Sequence, residues 1–158
     1  MGTIRIASGT GLGPTEAGAF DSALASIGIE RYNLITLSSV IPADASITHV
    51  DEVPDLGPTG HLLPVVMANE LVESEEQGAA GLAWAHEPGS EGIFYEATGS
   101  EESMVKRDLT EGIDHGRAIR NWDDGDVSML TETVETPADR HGCALVVATY
   151  GQARSPWR

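Results

Sequence analysis

The sequence predicts an α/β protein in which mostly antiparallel strands form a sandwich flanked by helices. About seven strand-sized apolar runs share the chain with only two helical ones, and most strands lack the following helix that a doubly wound sheet requires. No repeat or low-complexity tract interrupts them. A chain of 158 residues with 41% hydrophobic side chains can bury one substantial core, so a single domain over residues 1–158 is expected.

Residues 3–8 read as the first strand, followed by Gly9-Thr10-Gly11-Leu12-Gly13-Pro14 as a loop rich in breakers. Backbone N–H groups of such a stretch can cradle a phosphate. Here, however, the spacing is not Gly-x-Gly-x-x-Gly and no Lys follows, so a tight turn is the preferred reading. A helix is expected over 14–27, because Phe20, Ala23, Leu24 and Ile27 recur at steps of three and four; Pro14 suits its first turn and Gly28 its stop. Residues 32–41 form the clearest strand, with Leu34, Ile35, Leu37, Val40 and Ile41 around Ser38-Ser39, and Pro42 ends it. Residues 42–60 are polar and turn-rich, and 61–67 read as a strand buried on both faces. Strands at 79–86 and 92–97 flank a turn at 87–90. A helix follows over 102–122 with a capping-like start at Ser100 or Ser103, and strands at 127–133 and 143–150 close the chain around Pro137.

The charge balance narrows the function classes. Nine basic against 25 acidic side chains leave a net charge of −16, and eight of the nine basic residues are Arg, with Lys106 the only Lys. Gripping phosphates needs a basic surface, so no nucleic-acid partner is expected. Acid dispersed along a chain nearly devoid of Lys reads as a salt-adapted, halophilic surface on which carboxylates stay hydrated and repel other molecules. The longest apolar runs, such as 144–149, fall far short of about 20 residues, so no membrane span is expected. The first residues carry no secretory pattern, which makes a cytoplasmic location the expectation. Cys143 stands alone in an apolar run and reads as a buried, inert thiol. His49, His61, His86, His115 and His141 lack ligand spacing, and Pro88 breaks the only His-Glu start, so no metal is expected. Without a Gly-x-Ser-x-Gly elbow, no hydrolase triad is readable.

Ser38-Ser39 places two hydroxyls in an otherwise apolar strand. Alone, the pair would read as satisfied strand hydroxyls; its surroundings change the reading. The segment Asn33-Leu34-Ile35-Thr36-Leu37-Ser38-Ser39-Val40-Ile41-Pro42 closely resembles the self-cleavage region of the pyruvoyl-dependent arginine decarboxylases. Gly18-Ala19-Phe20-Asp21-Ser22-Ala23-Leu24 with Gly28-Ile29 resembles the family's substrate-side helix. Pro64-Val65-Val66-Met67-Ala68 and Gly92-Ile93-Phe94-Tyr95-Glu96 resemble its later strands. The four segments occur in the family's order at compatible spacing; beyond about Ser100 only the helix and last strand are recognisable. The acidic surface makes a haloarchaeal member the expectation.

The resemblance implies a layered αββα-type sandwich and an internal serine, here Ser39, converted to a covalent pyruvoyl group. The Ser39 hydroxyl would attack the Ser38 carbonyl in an N-to-O shift. β-Elimination would then leave dehydroalanine and cut the chain into 1–38 and 39–158, and hydrolysis to the ketone would release ammonia. The pyruvoyl group would form a Schiff base with L-arginine and accept the electrons freed as carbon dioxide leaves, giving agmatine without an external cofactor. By the same carry-over Glu96 is the acid that protonates the carbanion, with Ile93, Phe94 and Tyr95 as apolar surroundings that would raise its pKa; a solvated strand-end Glu is the alternative. Asn33 would supply amide hydrogen bonds. It shares the strand face of Ser39 by even spacing, yet six extended residues span roughly 20 Å, so either the strand bends or Asn33 serves a neighbouring subunit. The family implies the second, through a homotrimer with sites between subunits. Asp21 would meet the guanidinium bidentately and Leu24 would pack the aliphatic stem, with Ala17, Asp21 and Leu24 on one helix face. Two rival functions stay open: a pyruvoyl decarboxylase of another amino acid, and a non-cleaving ligand-binding sandwich.

Overall fold

A computed structural model describes residues 2–87, 89–122 and 125–157; Pro88, in the turn expected at 87–90, lies outside the described residues. In chain order they form β1 (Gly2–Gly13), α1 (Glu16–Ser26), β2 (Asn33–Thr36), β3 (Val40–Ile41), β4 (Ala45–His49) and β5 (Leu62–Val72). These are followed by β6 (Gln77–Ala85), β7 (Gly92–Gly99), α2 (Glu102–Ile119), β8 (Val127–Glu135) and β9 (His141–Tyr150). One sheet has the order β2-β5-β9-β1-β4, the other β3-β7-β6-β8. Pairing is antiparallel except at β2–β5 and β1–β4, the two edges of the larger sheet. The architecture is the αββα sandwich expected.

Alternation along the central strands builds the layers. On β9, Cys143, Leu145 and Val147 face α1, whereas Ala144, Val146 and Ala148 face the smaller sheet, and all six are buried. Strand β5 is buried on both faces in the same way, with Leu63 and Val65 toward α1 and Val66 and Ala68 between the sheets. Helix α2 lays Val105, Leu109 and Ile113 on Ala79 and Ala83 of β6 and Ile93 of β7, closing the outer side of the smaller sheet. Cys143 is free and buried, and burial with the nearby Glu70 charge pushes its thiol up to about 11. Among the described residues no helix is long and apolar enough to cross a membrane.

Several boundaries differ from the sequence expectation. The stretch read as a glycine loop is the second half of β1. A Cβ on Gly9 would lie 2.1 Å from Ser26 Oγ, one on Gly11 2.2 Å from the Ala23 nitrogen, and one on Gly13 2.6 Å from the Ala19 nitrogen. The three glycines therefore let α1 lie directly on the strand, and they form neither a turn nor a phosphate cradle. Helix α1 starts after Thr15, whose side chain accepts from Gly18 N–H, and ends before Gly28 at φ 83°. The N-cap of α2 is Glu101, without a side-chain cap bond, so neither Ser100 nor Ser103 takes that role. The polar 42–60 stretch contains β4, whose pairing with β1 the composition hides.

Candidate active site

The single strand expected over 32–41 is two strands in two sheets. Strand β2 ends at Thr36 in the larger sheet and β3 begins at Val40 in the smaller one, so 37–39 carry the chain across the sandwich rim. Leu37 N–H still donates to Val65 O of β5 at 2.8 Å, whereas Ser39 O already accepts from Phe94 N–H of β7 at 2.8 Å. The four Cα–Cα steps from Thr36 to Val40 reach about 13–14 Å at most, little more than the roughly 10 Å spacing of packed sheets, so the crossing is short. Ser39 takes it up with φ 68°, a left-handed conformation unfavourable for a residue with a Cβ.

In this conformation the Ser39 hydroxyl donates a hydrogen bond to the Glu96 carboxylate. Glu96 lies on β7 at the level of Leu82, on the face that also carries Phe94. Ile93 and Tyr95 turn the other way, toward α2. The apolar surroundings expected from all three neighbours therefore reduce to Phe94, and Glu96 is exposed in the single chain. Two residues along β7, Thr98 hydrogen-bonds Glu70, whose carboxyl burial holds above its ordinary range.

A residue the sequence reasoning missed completes this cluster. Tyr150, last in β9, donates its hydroxyl to the Val40 carbonyl at 2.9 Å. Its ring packs edge-on to Phe94 with centroids 6.3 Å apart. Burial, and secondarily the Glu96 charge, raise its phenol above the ordinary range. No motif marks it, because a tyrosine closing an apolar strand reads as packing.

The structure does not bring the remaining expected residues to Ser39 within one chain. Asn33 opens β2, at the end away from Ser39, and its side chain donates to Gly60 O at 2.8 Å. Of the two geometries left open for Asn33, the break after Thr36 removes the shared straight-strand face. Asp21 is exposed on α1, which packs on β1, β9 and β5, on the far side of the larger sheet from the face that looks toward Glu96. Leu24 is 7% exposed and sits in the core beneath α1, so the expected common face of Ala17, Asp21 and Leu24 divides. The reason is helical geometry: three residues past Asp21, Leu24 is turned about 60° around the axis, toward the sheet. A cleft of about 330 Å³ lined by Ala85, His86, Glu87, Arg117, Trp122 and Asp126 contains none of Ser39, Glu96 or Asp21. Among the described residues no group of three or more His, Cys, Asp or Glu comes together to hold a metal ion.

The chain matches the family model described as pyruvoyl-dependent arginine decarboxylase over residues 3–155. It is 47% identical over 155 residues to the protein of that name from Halobacterium salinarum, covering 97% of this chain and 96% of the relative. The match fits the salt-adapted composition. Likewise it is 36% identical over 142 residues to the one from Pyrococcus furiosus, covering 84% of each, and 30% identical over 154 residues to the one from Methanococcus vannielii, covering 92% and 88%. A match of this extent, on a sandwich whose crossing serine sits strained against a carboxylate, places the chain in the pyruvoyl-dependent arginine decarboxylase family.

Proposed function

We propose that the chain cuts itself between Ser38 and Ser39 and, with the pyruvoyl group so formed, decarboxylates L-arginine to agmatine and carbon dioxide. The observation that carries this reading is Ser39: left-handed at φ 68°, hydroxyl on Glu96, carbonyl on Phe94 N–H. The residues fit the group. Its ketone carbon would derive from the Ser39 Cα, its amide oxygen is one Phe94 N–H already holds, and Glu96 stands beside the side chain that would be transformed. A pyruvoyl group supplies an electrophilic ketone that takes the substrate amine and the electrons released with carbon dioxide.

The chain's own residues do the rest in this reading. Glu96 delivers a proton to the carbon that lost its carboxylate, and Asp21 binds the guanidinium through two parallel hydrogen bonds. Leu24 acts from the core, holding α1 and so Asp21 in place, and Asn33 contributes from its position on β2. Because Asp21 lies away from Ser39 in one subunit, the site is completed by a neighbour in a homotrimer. Ile35, 42% exposed, and Val40, 51% exposed, flank the crossing on the edge strands of both sheets and support burial by another subunit there. A cytoplasmic location accompanies the reading.

Intact-mass measurement in molar salt, joined to an assay of carbon dioxide and agmatine, tests the proposal. The expected products are chains of 1–38 and 39–158 with arginine-dependent release. A chain that stays whole and inactive would leave a non-cleaving sandwich, whereas cleavage with preference for another amino acid would move the substrate assignment alone.

A further inference from the structure

We propose that Tyr150 is a positioning residue for self-cleavage: its hydroxyl, held on the Val40 carbonyl, fixes the reacting serine in its strained conformation. The inference rests on the self-cleavage reading above and goes beyond it, since neither the motif nor Glu96 requires a tyrosine on the other sheet. Two successive carbonyls after the scissile bond are each held from a different sheet. Phe94 N–H of β7 holds Ser39 O at 2.8 Å, and the Tyr150 hydroxyl of β9 holds Val40 O at 2.9 Å. Together they fix the peptide planes on either side of Val40. Upstream, Leu37 N–H is tied to Val65 O of β5, so the chain is anchored on both sides of Ser38. With both anchors in place the slack is taken up at Ser39, where φ is 68°. Release the Val40 anchor and Ser39 can relax toward an ordinary strand conformation, withdrawing its hydroxyl from the reacting geometry.

The step so positioned balances within the chain. Ser39 Oγ bonds to the Ser38 carbonyl carbon, the bond from that carbon to the Ser39 nitrogen breaks, and the hydroxyl proton ends on the freed amine. No oxidant or outside group takes part. Burial, and secondarily the Glu96 charge, favour the protonated Tyr150 phenol, the form that donates.

Tyr150→Phe keeps the ring against Phe94 and removes only the hydroxyl. Freshly made full-length wild type and variant are followed by denaturing gel and intact mass in molar salt, with and without neutral hydroxylamine, which splits esters. The variant is expected to cleave about tenfold more slowly, the scale of one well-placed hydrogen bond. Hydroxylamine should not restore the rate, because the ester never accumulates. Cleavage of the variant at the wild-type rate overturns the proposal. So does rapid splitting by hydroxylamine, which would place the defect after the shift. Ser39→Ala chains with and without Tyr150→Phe supply the folding control and are expected to melt with equal cooperativity; loss of the cooperative melt would make the hydroxyl a determinant of the whole fold and overturn a positioning role. If wild type itself never cleaves, the self-cleavage reading falls and this proposal with it, an outcome separate from the others.

Discussion

Holding a serine at φ 68° costs on the order of 1–3 kcal/mol, which the surrounding sheets must hold in place. Ser39→Ala removes the nucleophile while leaving both backbone anchors, so it should remain one 16.7 kDa chain, where wild type gives pieces of about 4 and 13 kDa in proportion to residue number. A gel of the purified proteins decides this, and a cleaved Ser39→Ala chain would move the site elsewhere. Glu96→Gln retains an oxygen that accepts the Ser39 hydroxyl but cannot deliver a proton. It should therefore cleave normally and lose about 100-fold or more in arginine turnover, as single-turnover carbon dioxide release would show. Cys143 supplies a prediction unrelated to catalysis. Its thiol is pushed from 9.0 up to about 11 in the fold, so the folded state holds that proton more tightly than the unfolded one. The corresponding stability is present below about pH 9 and is lost as pH rises toward 11. Denaturant melts of Cys143→Ala should lack this component of the alkaline decline. At this scale the sequence singled out Ser38, Ser39 and Glu96 because they sit in recognisable segments, and the fold brings Ser39 and Glu96 together, whereas Tyr150 meets a distant carbonyl through one hydroxyl and leaves no local pattern.

Elements were legible where periodicity and burial agree. The double-sided apolar runs of β5 and β9 and the three-and-four spacing of α1 survive in the fold because each buried position meets a layer. They were illegible where an element is defined by its partner. Gly9, Gly11 and Gly13 look like a breaker cluster, yet Gly11 and Gly13 lie where the α1 backbone presses on β1, and Gly9 lies under the side chains of Ser26 and Ile27. The same holds for the break between β2 and β3: Leu34 to Ile41 reads as one mostly apolar strand around Ser38-Ser39, and only the competition of two sheets for its backbone splits it at 37–39. Gly11→Ala tests the first point. Its Cβ would lie 2.2 Å from the Ala23 nitrogen and 2.3 Å from the Ala19 oxygen, both backbone atoms, so α1 must move off the strand. A loss of about 1–3 kcal/mol, several degrees in melting temperature, is expected by calorimetry. An unchanged melt would mean that the helix seats elsewhere.

At the scale of the whole molecule, the proposed homotrimer brings together chains of charge −16 and would divide its site between subunits. In molar salt the Debye length is about 3 Å and the carboxylates hardly sense one another; near 0.1 M it is about 10 Å and their repulsion acts between subunits. Withdrawing salt should therefore loosen the trimer, visible as a lower sedimentation coefficient. The same screening means that attraction at a distance cannot select arginine, so in the proposed reading selectivity rests on contact with Asp21. Asp21→Asn should cost about 2–5 kcal/mol in kcat/KM for arginine and leave cleavage untouched. Asp21 and the Ser39–Glu96 pair lie in different layers of one chain, which leads to a sharper expectation for mixtures. Asp21→Asn and Glu96→Gln subunits are each nearly inactive alone, but a hybrid trimer contains interfaces where an intact Asp21 from one variant faces an intact Glu96 from the other. With random mixing at equal amounts, half of the subunits supply each member, so about a quarter of the interfaces are fully intact. Dissociating the two variants in low salt and restoring salt together should raise arginine turnover to about that fraction of wild type. Restoring salt to each variant separately should not. If Asp21 and Glu96 instead served one site within a single chain, mixing would give only the average of two poor enzymes, and the interface reading would have to be abandoned.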